Sequence, residues 1–205
     1  MTRLVRLSDV RLTAVAAAPP GYRLAMVGRL PLHALGLLSL VALVVAAPLF
    51  IIITAPLGGP IDPRGALQLA IGPWDLLASL VAAGIVLPVA HELAHGLAAL
   101  LIGARPVFGV VLPVAAFCHF ERFVTRWQYA LVLLAPLVVI SVAGVALLPV
   151  TPGWLTGQVL LVLILNASGA AGDLAMLWQL RRAPAGALIA DTATGFEVYV
   201  PAAGS

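Results

Sequence analysis

Four apolar runs organise this chain, approximately Ala34–Ala55, Leu76–Ala104, Tyr129–Val150 and Leu155–Leu180. Each is long enough to cross a bilayer core, which needs about 20 residues in a helix. The four tryptophans, Trp74, Trp127, Trp154 and Trp178, all fall at or near ends of these runs. Amphipathic rings settle there, at the headgroup level. The connections differ from one another. Residues 57–73 form a Gly/Pro-rich outer loop with no identifiable chemistry. The β-branched, Gly/Pro-punctuated stretch "PVFGVVLPVAAFCHF" (106–120) is too broken for a helix and predicts short strands lying against the membrane. The tail "ALIADTATGFEVYV" (187–200) predicts two short strands around a turn at Asp191–Gly195. The predicted fold is an all-α membrane protein, four transmembrane helices with short cytoplasmic β elements at 106–120 and in the C-terminal tail. Its expected divisions are an N-terminal cytoplasmic segment (1–30), a four-span membrane domain (31–182) and a cytoplasmic tail (183–205) with a β-hairpin.

Composition narrows the class further. The chain is 62% hydrophobic and 9% charged, with a mean hydropathy of +1.13. A soluble domain carries about a quarter charged residues, so this one could not cover its surface with polar groups. All eleven basic residues are Arg, and they cluster between the apolar runs. Arg3, Arg6, Arg11, Arg23 and Arg29 precede span 1; Arg105, Arg122 and Arg126 lie between spans 2 and 3; Arg181 and Arg182 follow span 4. With four spans these regions share one side, and only Arg64 faces the other. The positive-inside rule then puts both termini in the cytoplasm of a multi-pass cell-membrane protein. A cleaved signal peptide is the competing reading of span 1. Its basic region is too long, and its apolar run exceeds the roughly 7–15 residues of a signal core. The net charge of +3 therefore reports topology, and no nucleic-acid motif accompanies it. Cys118, the single cysteine, excludes a disulfide framework.

"PVAHELAHG" (88–96) interrupts the second run with two histidines and a glutamate. A charged group at the bilayer centre costs roughly 2.5–3.5 kcal/mol even on the lenient insertion scale, so a packing pair or a chance cluster is disfavoured. His91 and His95 are four residues apart, which on a helix places both imidazoles on one face. At that spacing they can hold one divalent metal, and zinc is the usual occupant. Glu92 lies about 100° further round. There it can take a proton from a water at the metal without ligating it, the logic of an HEXXH motif.

A catalytic zinc usually has three protein ligands and one open position. Asp9, Asp62, Asp75, Glu121, Asp191 and Glu197 lie in loops, tails or span ends. His33 starts span 1, and His119 sits in the cytoplasmic connection. Only Asp173, in "LNASGAAGDLAML", lies well inside another span. His95 and Asp173 each stand eight residues before the inner end of a span, so their depths match at about 12 Å. The small residues of "ASGAAG" allow close helix approach. The competing role for Asp173 is an ion pair with Arg181 or Arg182. Asn166, two turns before Asp173, can hold a peptide carbonyl or support an oxyanion; it can equally make an interhelical hydrogen bond. Pro88 is expected to bend span 2 and free carbonyls near the site. Cys118 and His119 read as interface residues rather than a second metal pair.

"HELAHG" in an early span and "NASGAAGD" in the last resemble the site-2-protease class of intramembrane zinc metallopeptidases. The chain is also similar to a small family of bacterial multi-pass proteins described as putative zincin peptidases. That similarity rests on size, "RPVFG" after the motif, "LLAPL" on the third span, the "N…S…GD" segment and a short D…GF-type tail. It covers roughly residues 30 to 200. The resemblance implies zinc held by His91, His95 and Asp173, with 31–182 a zinc-peptidase-like membrane domain. One departure is visible: Gly172 precedes Asp173, Leu174 follows it, and no Pro lies between Asn166 and Asp173. The role of Asn166 and any unwinding around Asp173 stay open on this pattern.

The resulting expectation is a membrane-embedded zinc metallopeptidase acting on membrane or membrane-adjacent proteins. Glu92 would activate water and then deliver the proton to the leaving amine. The 106–120 strands would offer an edge to an extended substrate. Its partners would be the bilayer and a protein or peptide substrate, with no nucleic acid. The alternative is a non-catalytic metal-binding scaffold, regulator or metal-handling protein, which would not require Glu92. A transporter fits less well, since spans 1 and 3 carry too few polar groups to line a path.

Overall fold

Glycine and proline set the helix boundaries in this chain. The computed structural model describes residues 18–58, 72–111, 115–192 and 195–202. Most of the predicted outer loop, with Asp62 and Arg64, lies outside them, as do Arg3, Arg6, Asp9, Arg11 and the centre of the predicted tail turn. Helix α1 (Leu32–Thr54) runs through Pro48 into a 3₁₀ turn that ends at Gly58, whose φ of 86° suits glycine. Helix α2 (Pro73–Val81) starts where the Gly72 N–H donates to Asp75 Oδ2 at 2.9 Å, so Asp75 caps a helix. A π-helical turn at Ala82–Val86 joins it to α3 (Leu87–Leu101). Pro88 has no N–H to give the Gly84 carbonyl, and the wider turn directly ahead of it absorbs the mismatch.

Helix α3 closes on the hydrogen bonds Ala104 N–H to Ala99 O and Gly103 N–H to Leu100 O, with Gly103 at φ 75°. This is a Schellman ending. The Arg122 guanidinium donates to the Ile102 and Gly103 carbonyls, satisfying two more groups at the helix terminus. Helix α4 (Arg126–Leu147) carries Pro136 in its interior. The last apolar run divides into α5 (Gly153–Gly169) and α6 (Ala171–Leu180), with a one-residue turn at Ala170. Counted as continuous segments, Leu32–Leu57, Pro73–Leu101, Arg126–Val150 and Gly153–Leu180 are long and apolar enough to cross a membrane.

The all-α expectation is overturned. Strands β1 (Tyr22–Arg29), β2 (Pro106–Val111), β3 (Ala115–Phe120), β4 (Phe123–Thr125), β5 (Leu188–Thr192) and β6 (Gly195–Pro201) build two antiparallel sheets. One is the two-stranded pair β2–β3; the other is four-stranded in the order β1-β6-β5-β4. The tail strands are the interior of this second sheet. β6 pairs with β1 from Tyr22↔Pro201 to Arg29↔Gly195, and β5 pairs with β4 from Phe123↔Ala190 to Thr125↔Leu188. These partners are far apart in the chain, and neither the basic "YRLAMVGR" nor the three-residue "FVT" carries a strand signal by itself. At Gly195 a side chain would collide with the Gly28 carbonyl, so glycine permits the β1–β6 approach.

The chain forms two compact units whose boundaries fall inside continuous helices. One gathers the described residues of Met1–Leu32, Glu92–Ala135 and Gly172–Ser205. Its core packs Ala98 and Ala99 of α3 with Tyr129, Val132 and Leu133 of α4, and with Phe120, Ile189, Phe196 and Val198 of the strands. The other comprises His33–His91 and Pro136–Ala171, where Ala46 and Phe50 of α1 pack with Leu160 and Leu163 of α5. Gly144 lets α4 approach Leu163 closely.

Candidate metal centre

The α3 helix carries "HELAH" one turn beyond Pro88, with His91 and His95 on one face and Glu92 beside them. Asp173 is the third residue of α6, just after the turn at Ala170. The helical interruption is therefore present without a proline. The Ala170 N–H bonds to the Asn166 and Ser168 carbonyls, and the small run Gly169–Gly172 accommodates the break. His95 Nε2 lies 3.6 Å from Asp173 Oδ2, and the two side chains are only 12% and 13% exposed. One ligand atom from each of His91, His95 and Asp173 lies within 4.8 Å of the others.

Two imidazoles and a carboxylate are a zinc-type donor set. Zinc bonds of about 2.0–2.1 Å place neighbouring tetrahedral ligands about 3.3 Å apart, a spacing that small side-chain adjustments reach from here. Each imidazole has its Nδ1 against an oxygen. His91 Nδ1 lies 3.2 Å from Asn166 Oδ1, and His95 Nδ1 lies 2.9 Å from the Val132 carbonyl oxygen. Each of these oxygens is an acceptor, so with a metal bound at Nε2 each Nδ1 would carry the proton and donate it here. The residues present fit the group.

A model of the family described as "Putative zincin peptidase" matches residues 84–188, just over half of the chain. The chain belongs to that family. The match takes in the HELAH motif, Asn166 and Asp173. Membership supports a metallopeptidase at the coarse level and implies zinc, for which His91, His95 and Asp173 stand close enough together. No curated protein and no solved structure matches the chain.

The structure brings together His91, His95 and Asp173, and sets Asn166 against His91. Asn166 is 1% exposed, and its Nδ2 donates to the Pro136 carbonyl at 3.1 Å. Glu92 is half-buried on α3. Its charge acts on Cys118: burial first, then Glu92 and Asp191, push that thiol up to about 12. Cys118 and His119 are consecutive on β3 and so point to opposite faces. His119 stacks edge-on with Phe117, and burial lowers its pKa.

Asp191 is the residue that sequence reasoning passed over as a tail acid. Its carboxylate receives the Tyr129 hydroxyl at 2.9 Å and the Phe120 N–H at 3.2 Å. Burial raises its pKa to about 7 against those donors. The "ADTATG" segment reads locally as a turn, and no local signal marks its acid as half-buried and bonded to Tyr129 and Phe120.

Proposed function

We propose that this family member is a membrane-embedded zinc peptidase that hydrolyses peptide bonds of membrane or membrane-adjacent proteins. The observation that carries the reading is the convergence of His91, His95 and Asp173 from two apolar helices, with Glu92 next in sequence to one of them. Zinc held there would supply Lewis acidity toward a water and toward the scissile carbonyl. Glu92 takes a proton from the attacking water through a carboxylate oxygen, then gives it to the leaving amide nitrogen. Glu92 is half-buried and lies about 100° round α3 from His91, a setting that limits competing bulk water.

The helices' surfaces support the membrane setting. Leu37, Val44, Ile52, Leu80, Leu101 and Val142 are all exposed, a density of apolar surface that bilayer lipid would cover. The Arg181 guanidinium sits 3.4 Å over the Trp178 ring near a span end, an arrangement suited to the headgroup layer. In this reading both termini are cytoplasmic, and the protein resembles the site-2-protease class in placing its metal ligands within spans.

The β2–β3 pair supports a substrate role for 106–120. Among the described residues it is a two-stranded sheet, and the end of β3 is tied to Asp191. An extended peptide could add along the outer side of β2. Deleting 106–120 should spare zinc and impair cleavage; retention of both would remove this role.

The deciding experiment is Glu92→Gln, which keeps the side chain's shape but cannot accept a proton at neutral pH. Zinc content and cleavage of a candidate membrane substrate would be measured on the same preparations in liposomes. The expected outcome is full zinc with cleavage reduced at least about 10²–10⁴-fold. Unchanged cleavage with metal bound would end the mechanism. Loss of zinc would leave a non-catalytic metal-binding protein as the better reading.

A further inference from the structure

The orienting partners of the two metal histidines lead back to one proline. In a regular α-helix the Val132 carbonyl would accept the N–H of residue 136, and residue 136 is Pro136. The carbonyl left over is the one that His95 Nδ1 meets at 2.9 Å. The carbonyl of Pro136 itself accepts from Asn166 Nδ2 at 3.1 Å, and Asn166 Oδ1 lies 3.2 Å from His91 Nδ1. The donation to Pro136 fixes which end of the carboxamide faces His91, because a carbonyl can only accept.

Resting on the metal-site reading above, we infer that Pro136 and Asn166 are positioning residues. Pro136 frees the Val132 carbonyl to orient His95, and it anchors Asn166, which orients His91. A histidine ligand whose far nitrogen donates to a fixed acceptor is held in one tautomer and binds metal more strongly. Here the "LLAPL" segment supplies that acceptor to one imidazole directly and to the other through Asn166. Its carboxamide oxygen thereby faces His91, which places Asn166 behind the metal ligand.

The test measures zinc affinity, by competition with a chromophoric chelator, and the visible spectrum of the cobalt-substituted protein. The full-length chain is used in detergent, as wild type, Pro136→Ala, Asn166→Leu and Pro48→Ala. Pro136→Ala returns an N–H to the Val132 carbonyl and removes a helix breaker. It should weaken zinc binding about 10–100-fold and shift the cobalt bands of the folded protein, a spectral change at the metal that a merely structural role would not give. Asn166→Leu should weaken zinc to a similar degree, and Pro48→Ala, in the interior of α1, should change neither affinity nor spectrum. If Asn166→Leu does not fold, Pro136→Ala carries the test alone. Wild-type affinity and spectrum in Pro136→Ala would overturn this inference while leaving the metal site standing. A folded wild type that binds no zinc would overturn the metal reading and this inference together.

Discussion

The Tyr129 hydroxyl donates to Asp191 Oδ1 at 2.9 Å, joining the first turn of α4 to the middle of the four-stranded sheet. The same carboxylate takes the Phe120 N–H at the end of β3, and the Tyr129 hydroxyl also reaches the Gly195 carbonyl at 3.4 Å. One acid thus ties together α4, β3 and β5. Phe120 and Phe196 pack on the Tyr129 ring at centroid distances of 6.3 and 5.5 Å, which limits the access of water to these bonds. Polar groups bonded in such surroundings are costly to leave unpaired.

Asp191 should give folding stability a pH dependence opposite to that of an ordinary ion-paired acid. Burial raises its pKa from 3.8 to about 7, so between those values the folded chain holds a proton that the unfolded chain has released. Stability then falls as pH rises, because the folded state binds more protons. The contribution is complete below about pH 4 and is lost as pH passes through about 7. Asp191→Asn removes this dependence. Thermal midpoints in detergent at pH 5 and pH 8 should show wild type losing ground to Asp191→Asn as pH rises; a gap constant across that range would mean the carboxylate is ionised throughout.

Tyr129→Phe removes one hydroxyl and both of its bonds while keeping the ring. Asp191 then keeps the Phe120 N–H but loses its side-chain donor. The expected cost is about 1–3 kcal/mol for a buried polar group left short of a partner. It should be larger at pH 8, where the carboxylate is ionised, than at pH 5. Denaturation of the two proteins side by side at both pH values checks this, and an equal loss at both would detach the hydroxyl's role from Asp191's charge.

Purified protein should carry about one zinc per chain. His91→Ala, His95→Ala and Asp173→Ala should each lower affinity by more than the roughly 10–100-fold that follows loss of a group bonded behind a ligand. His33→Ala and His119→Ala should leave it unchanged, since neither belongs to the three-residue group. Metal analysis after dialysis against a weak chelator reads the result. Full zinc in Asp173→Ala with loss in His119→Ala would reassign the third ligand.

The residues that come together at this centre were legible because they are exceptions in an apolar background. Helical spacing pairs His91 with His95, and matching depth singles out Asp173, so little beyond periodicity was needed. The sheet was legible only in part. Residues 106–120 and the tail carry β-branched and aromatic residues, whereas β1 lies in a basic segment and shows itself only through pairing with Gly195–Pro201. The bonds of Asp191 are hidden for a related reason, since its donors Tyr129 and Phe120 lie far from it in the chain rather than among its neighbours in sequence. The partner of His95 was hidden as well. A proline signals a missing N–H, but which side chain meets the carbonyl left behind depends on packing between helices.

The sheet also bears on topology, independently of the arginines. β1 precedes the first apolar helix and β6 follows the last, yet they are hydrogen-bonded along Tyr22–Arg29. β4 lies between the second and third helices and pairs with β5, beyond the fourth. Backbone partners cannot lie on opposite faces of a bilayer, because unpaired backbone groups are not tolerated in hydrocarbon. If all four helices span, the N-terminal segment, the 102–125 connection and the tail must therefore share a side. Reporter fusions at residues 1 and 205 should both report cytoplasm, as should an insertion in 106–120, and fusions near Arg64 and Pro152 should report the opposite side. A tail on the opposite side from residue 1 would mean that one apolar helix does not span, and that β1 and β6 are not paired in the membrane-bound protein. A shared but external location would leave the sheet intact and would instead defeat the orientation drawn from Arg105, Arg122, Arg126, Arg181 and Arg182.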